Sequence, residues 1–314
     1  MTDTKSLYLE LMKRALTKGL YREPRFVPIQ PDSFVKRPLI KICAARGLQL
    51  MYTLPAAPFD FEAREIGVEL PPTAHTMIGL KRLDNLHFCV EDVLNKGVLG
   101  DLIETGVWRG GAVIFMRAIL KAHDVRDRCV WVADSFEGFP RGNPEKYVMD
   151  VGAQGLLAVS IDEVKSHFKN YGLLDDQVKF LKGFFSETLP VAPIKSLSVV
   201  RLDADQYGST MDGLTNLYPK LSVGGYLIVD DYGAVPGACD AVNEYRKAHN
   251  ISDPIQVIDE TGVYWQRSQP FTSESREGHR HRLTLLPPSP LLRASATDSS
   301  IGSNLQTVAR SIST

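Results

Sequence analysis

Between Gly100 and Arg267 the chain alternates short, nearly continuous apolar runs with amphipathic stretches, and this alternation restricts the fold more than any other feature. The runs are DLIET from Asp101, CVWVAD from Cys129, VKFLKG from Val178, LSVVRLDAD from Leu197, YLIVDD from Tyr226, PIQVID from Pro254 and VYWQR from Val263. Stretches with helical periodicity separate most of them, among them AVIFMRAILKAH from Ala112, IDEVKSHFKNYG from Ile161, TMDGLTNLYPKL from Thr210 and ACDAVNEYRKAHN from Ala238. A strand that is apolar on both sides must be covered on both sides, so strands of this kind spaced by helices predict an α/β fold with a doubly wound, mostly parallel sheet. Only ETG lies between the last two runs, which predicts a hairpin and therefore one antiparallel edge strand.

The flanks differ in texture. Residues 1–97 read as a helical N-terminal extension, with an apolar stripe through Leu83, Leu86, Val90, Val93 and Leu94 and proline-rich breaks at LPAAPFDF and LPPTAHTM. This region is expected to supply a substrate lid or oligomer contacts, with the apolar stretch PLIKICAARGLQLMYTLP from Pro38 packing on a partner subunit of the same chain. Residues 98–267 form the expected core domain. Residues 268–314 are rich in Ser, Thr, Pro and Arg without a lasting period and read as a disordered tail, its GHRHR a solvated basic run.

Composition removes several classes. A formal net charge of −1 gives no support for a nucleic-acid or anionic-membrane partner. No stretch approaches the roughly 20 apolar residues of a membrane span, and MTDTKSLYLELMKRALTKGL mixes charges at helical spacing unlike a secretory leader. Cys43, Cys89, Cys129 and Cys239 are scattered without metal or disulfide spacing, which suits a reducing, cytoplasmic location.

The chemistry gathers where strands end. In a doubly wound sheet, the turn after the first strand holds a nucleotide-type ligand. Here that turn has glycines at Gly106, Gly110 and Gly111, a spacing unlike the G-x-G-x-x-G of dinucleotide binders, which disfavours a nicotinamide oxidoreductase. Asp134 closes the second strand, where a carboxylate can accept both hydroxyls of a ribose or cap a turn. Glu104, at the end of the first strand, can receive a ligand ammonium group or its own turn's amides. KGFFSETLP places Phe184 and Phe185 beside a base ring or in the core. An adenosine joined to an amino-acid ammonium describes S-adenosylmethionine.

Four aspartates end the next two strands: Asp203 and Asp205 in RLDAD, Asp230 and Asp231 in VDD. Side chains two apart on an extended segment share a side, so Asp203 and Asp205 are both expected to face the crevice. Converging carboxylates repel one another and need a cation; a hard divalent ion such as Mg²⁺ takes carboxylate oxygens together with water and substrate oxygens. The other reading is of turn formers and caps.

These segments together, TMIGLKRLDNL, DLIETGVWRGGA, ADSFEGFP, KGFFSETLP, RLDADQYGST and GGYLIVDDYG, resemble the macrocin O-methyltransferase family over roughly Pro72 to Arg267. The resemblance implies a Rossmann-like class I methyltransferase fold, S-adenosylmethionine and Mg²⁺ as cofactors, and a small-molecule glycoside as acceptor. It implies Asp203, Asp230 and Asp231 as metal ligands and Asp205 as general base. It implies cofactor contacts from Thr76, Met77, Glu104, Asp134 and Ser135, with Gly106 and Asp203 lining the same turn and Phe184 and Ser186 nearby. A catechol-type phenol acceptor is the alternative within this chemistry; a non-catalytic binding protein is the alternative outside it.

Overall fold

The computed structural model describes residues 3–20, 25–29, 36–54, 61–67, 73–139 and 157–271 of the 314. Most of the expected disordered tail therefore lies outside the described residues. Two compact units are present, one built from residues before Lys18 and after Phe61, the other containing Gly19–Asp60.

The larger unit opens with α1 (Thr4–Leu16), capped by Asp3, whose carboxylate accepts the amide of Ser6. The smaller unit follows: β1 (Arg25–Pro28) pairs antiparallel with β2 (Met51–Leu54), and α2 (Lys36–Ala44) lies between them in sequence. The chain rejoins the larger unit through α3 (Phe61–Ile66) and α4 (Leu80–Asn95). The stripe read from Leu83 to Val93 is the buried face of α4, and Leu9, Met12 and Leu16 of α1 join the same core. Packing thus places α1, α3 and α4 in the unit of the main sheet, and Gly19–Asp60 in the other unit.

That sheet begins with β3 (Asp101–Thr105), followed by α5 (Gly111–Ala122), β4 (Val130–Asp134), α6 (Ile161–Asn170), β5 (Val178–Lys182), the single turn α7 (Phe185–Thr188), β6 (Leu197–Leu202) and α8 (Tyr207–Leu217). Pro219 ends α8 early, turning Tyr218–Lys220 into a 3₁₀ turn, because proline has no amide to continue the ladder. The sheet is completed by β7 (Leu221–Val229), α9 (Pro236–Ala248), β8 (Gln256–Val257) and β9 (Val263–Gln266).

The strand order is β5-β4-β3-β6-β7-β9-β8. The first five strands in that order run parallel, as the double-sided apolar runs predict. The hairpin is also present: β9 pairs antiparallel with β7, and the two-residue β8 pairs antiparallel outside it. Two cores cover the sheet. One carries α1, α4, α5 and α6 residues such as Leu86, Phe115 and Phe168; the other carries Leu214, Tyr245 and Trp265. Among the described residues no helix is long and apolar enough to cross a membrane.

Candidate active site

The strand β3 has β4 on one side and β6 on the other, so the connections leave it in opposite directions and open a crevice at the carboxyl ends. Gly106 controls the width of this crevice. Its φ is +82°, and a Cβ there would stand 1.7 Å from the carbonyl oxygen of Asp203. Gly111, at the first turn of α5, has the same importance on the other side: a Cβ would stand 2.5 Å from both the His75 carbonyl oxygen and Thr76 Cβ. The segment before α4 is therefore pressed onto the glycine turn, with Thr76 buried and Met77 half-buried beside it.

Asp134 holds the turn itself. Its Oδ2 accepts the Val107 amide at 2.8 Å and its Oδ1 accepts the Phe136 amide at 2.7 Å. Burial raises its pKa, and the hydrogen bonds from Phe136, Val107 and Trp108 act against that rise. The carboxylate is thus a turn builder in this structure, with the Ser135 hydroxyl also 3.4 Å from its Oδ1. Ser135 donates to the Gly138 carbonyl at 2.6 Å and accepts the Glu137 amide at 3.1 Å, fixing the next turn. Across β5, Phe185 packs on the core beneath, while Phe184 is half-buried at the N-cap of α7 and Ser186 is exposed.

The counter-charge for the carboxylates is a residue the sequence reading passed over. Arg201, fully buried near the end of β6, bonds Glu104 and Asp203 through Nη1, the latter at 2.8 Å, and Asp230 through Nη2. Arg82 of α4 bonds the other oxygen of Asp230, and reaches Asp259 at 2.7 Å and the Thr261 hydroxyl. An arginine inside the apolar run SVVRL was the available signal, since a buried guanidinium needs acids around it. Nothing local marked Arg82, which meets its partners from far along the chain.

Glu104 is 2% exposed. Burial pushes its pKa up to about 8 against the pull of Arg201. Its Oε1 is bonded, but Oε2 is buried without any donor among the described residues. A buried carboxylate oxygen in that condition fits a ligand cation, such as the ammonium of an amino-acid moiety.

Asp203, Asp230 and Asp231 each offer an oxygen within 4.8 Å of the others'. Three hard oxygen donors with no Cys or His among them suit Mg²⁺. Burial, then the charge of Asp230, raises Asp203 to about 6. Burial followed by the charges of Asp205, Asp203 and Asp230 holds Asp231 well above the carboxylate range.

Asp205 reaches the cluster by a different path from the one expected. The strand ends at Leu202, so the alternation of an extended segment does not carry it there. Instead Asp205 adopts a left-handed backbone with φ +55°, and its amide donates to Asp231 Oδ2 at 3.1 Å. Left-handed backbone at a residue other than glycine costs of order 1–3 kcal/mol and persists only where the surroundings impose it. Among the described residues no hydrogen bond to its carboxylate is present. Burial, then the charges of Asp203 and Asp230, raises its pKa to about 7, the range in which a carboxylate can take a proton at neutral pH.

An open sheet of this order, with acids at the ends of β3, β4, β6 and β7, is the fold of a class I S-adenosylmethionine methyltransferase, and the solved structure of the O-methyltransferase NovP superposes with a TM-score of 0.70 at 48% identity, covering 84% of this chain and all of that one. A family profile for macrocin-O-methyltransferase (TylF) matches residues 5–267. The demethyldecarbamoylnovobiocin O-methyltransferase of Streptomyces niveus is 49% identical over 84% of this chain and 94% of its own. The 8-demethyl-8-(2,3-dimethoxy-alpha-L-rhamnosyl)-tetracenomycin-C 4'-O-methyltransferase of Streptomyces olivaceus is 48% identical over 85% and 94%. The chain belongs to the macrocin O-methyltransferase family, and is an S-adenosylmethionine-dependent O-methyltransferase.

Proposed function

We propose that the protein methylates a sugar hydroxyl of a glycosylated natural product, with Mg²⁺ held by Asp203, Asp230 and Asp231 and with Asp205 as the general base. The observation that carries the reading is the convergence of three carboxylates beside a fourth that accepts no hydrogen bond among the described residues. The relative named for a 4'-hydroxyl of a rhamnosyl group supports a sugar acceptor.

The chain's residues divide the work. Glu104 takes the ammonium of S-adenosylmethionine on its free oxygen, while Thr76, Met77, Ser135, Phe184 and Ser186 surround the rest of the ligand. Asp134 keeps the glycine turn in shape and, at the end of β4, is placed to meet the ribose. Asp205 takes the acceptor's proton, and does so best from outside the cation's ligand set, because a carboxylate bound to a cation is a weak base. When bound, Mg²⁺ supplies a Lewis acid that makes a neighbouring hydroxyl easier to ionise. Self-association through the N-terminal region belongs to the same proposal; Leu7 and Leu11 of α1 are 63% and 51% exposed.

The test is transfer of labelled methyl from S-adenosylmethionine to a panel of deoxysugar glycosides and catechols, with Mg²⁺ or with EDTA. Turnover of glycosides only, abolished by EDTA and restored by Mg²⁺, is expected. Undiminished turnover in EDTA overturns the cation, and preference for catechols overturns the acceptor class.

A further inference from the structure

One guanidinium joins the two halves of the crevice. Arg201 Nη1 serves Glu104, on the side of the glycine turn, and Asp203, on the side of the aspartate cluster; Nη2 serves Asp230. The arginine is 1% exposed, so its guanidinium is withheld from water, although Asp203 is partly open to it. Among the described residues, its bond to Oε1 of Glu104 leaves Oε2 as the buried atom without a donor. Its bond to Oδ2 of Asp203 leaves Oδ1 of that residue without a hydrogen bond among the described residues. The close approach at Gly106 makes this sharing feasible, because it is what brings the ends of β3 and β6 together.

We propose that Arg201 is a positioning residue shared by both ligands, turning one oxygen of Glu104 toward the amino-acid end of the cofactor while it fixes Asp203 and Asp230 for the cation. The inference rests on the reading of S-adenosylmethionine and Mg²⁺ given above. A lysine cannot replace this function: it is a point charge on a flexible stem, whereas the planar fork of arginine aims separate nitrogens at separate acids. On that reading the adenosine end of the cofactor would meet the Asp134 turn, whose hydrogen bonds do not involve Arg201. Removing the fork should thus injure recognition of the amino acid and of the cation, and spare recognition of the nucleoside.

Calorimetry on the full chain tests this with three probes: S-adenosylhomocysteine, 5'-methylthioadenosine (which lacks the amino-acid portion) and Mg²⁺ alone. Arg201→Lys should bind S-adenosylhomocysteine about tenfold or more weakly and Mg²⁺ about threefold or more weakly, with methylthioadenosine within about twofold of wild type. Glu104→Gln should reproduce the loss for S-adenosylhomocysteine without that for Mg²⁺. In the double variant the losses for S-adenosylhomocysteine should fail to add, as for groups acting as one unit. Equal weakening of both nucleosides, additive losses, or unchanged Mg²⁺ affinity would overturn the shared role. If Arg201→Lys does not fold, Glu104→Gln still decides: a loss that does not distinguish the two nucleosides refutes the proposal. Wild-type protein that binds neither nucleoside would refute the cofactor reading itself, and wild-type protein that binds both but not Mg²⁺ would refute the cation.

Discussion

Gly106 and Asp203 are in contact through main-chain atoms, and the smallest side chain would place carbon 1.7 Å from the Asp203 carbonyl oxygen. The conflict is with backbone, so no rotamer relieves it. Gly106→Ala should therefore separate β3 from β6 at the site and lower stability by about 3 kcal/mol or more, combining a clash with a φ of +82°. Thermal melting with and without S-adenosylhomocysteine measures this. A variant that melts and binds like wild type would show that the two strand ends are free to part.

Asp205 and Asp203 differ in their attachments. Asp203 is tied to Arg201, and no group donates to the carboxylate of Asp205 among the described residues. Asp205→Asn is expected to keep Mg²⁺ and S-adenosylhomocysteine affinity near wild type while kcat falls by roughly 10²–10⁴, the usual share of a general base. Asp203→Asn should instead weaken Mg²⁺. Steady-state kinetics and calorimetry on both variants check the assignment, and a normal kcat for Asp205→Asn would remove it.

Stability should fall as pH rises through neutrality when no divalent cation is present. Asp203 and Asp205 have folded pKa values raised to about 6 and about 7 by burial and neighbouring charge, from an ordinary value of 3.8. The folded chain thus keeps protons that the unfolded chain has lost, and this contribution, complete below 3.8, disappears by about 7. His75 acts oppositely: burial, then the charges of His167, Lys18 and Arg109, lower it to about 4, so its contribution is present above 6.5 and lost on acidification. Melting between about pH 6 and 8 in EDTA should show wild type losing more than Asp205→Asn, with Mg²⁺ flattening the wild-type slope. Parallel slopes for the two proteins would contradict the raised value at Asp205.

The folded part of the chain continues past Arg267. The Ser268 amide donates to Asp253 at 3.2 Å, and the Phe271 ring lies 5.1 Å from that of His249 and 6.0 Å from that of Tyr218. A chain ending at Phe271 should melt like the full length, and one ending at Arg267 should lose about 1–3 kcal/mol, from one half-buried ring and one hydrogen-bonded acid. Equal melting of the two shortened chains would show that these contacts contribute nothing.

The parallel sheet was legible because its strands are apolar on both sides, a pattern that few other folds tolerate. The acids at the strand ends were legible for the same reason: Glu104, Asp134, Asp203, Asp230 and Asp231 interrupt apolar runs where those runs stop. Long-range partners were not. Arg82 lies 148 positions from Asp230, and no local pattern announces such a pair. Arg201 was visible within its run, but its meaning depends on three acids from different strands. Asp205 was not legible in this way, since a left-handed turn sets its position and not the pleat of a strand. The division of the N-terminal region was hidden too, because a helical stripe does not say which sheet it will cover.

The grip of Arg82 on Asp230, Asp259 and Thr261 matters for anyone who builds hybrids within this family. Exchanging the leading segment between relatives to alter acceptor preference is an obvious design, and a splice after α4 would import a foreign residue at position 82 opposite the native acids. The start of α4, the end of β7 and the loop between β8 and β9 form a matched set inherited from three distant stretches of the gene. Hybrids that respect the trio should remain sound enough for acceptor preference to be read; hybrids that split it will report on a broken clasp.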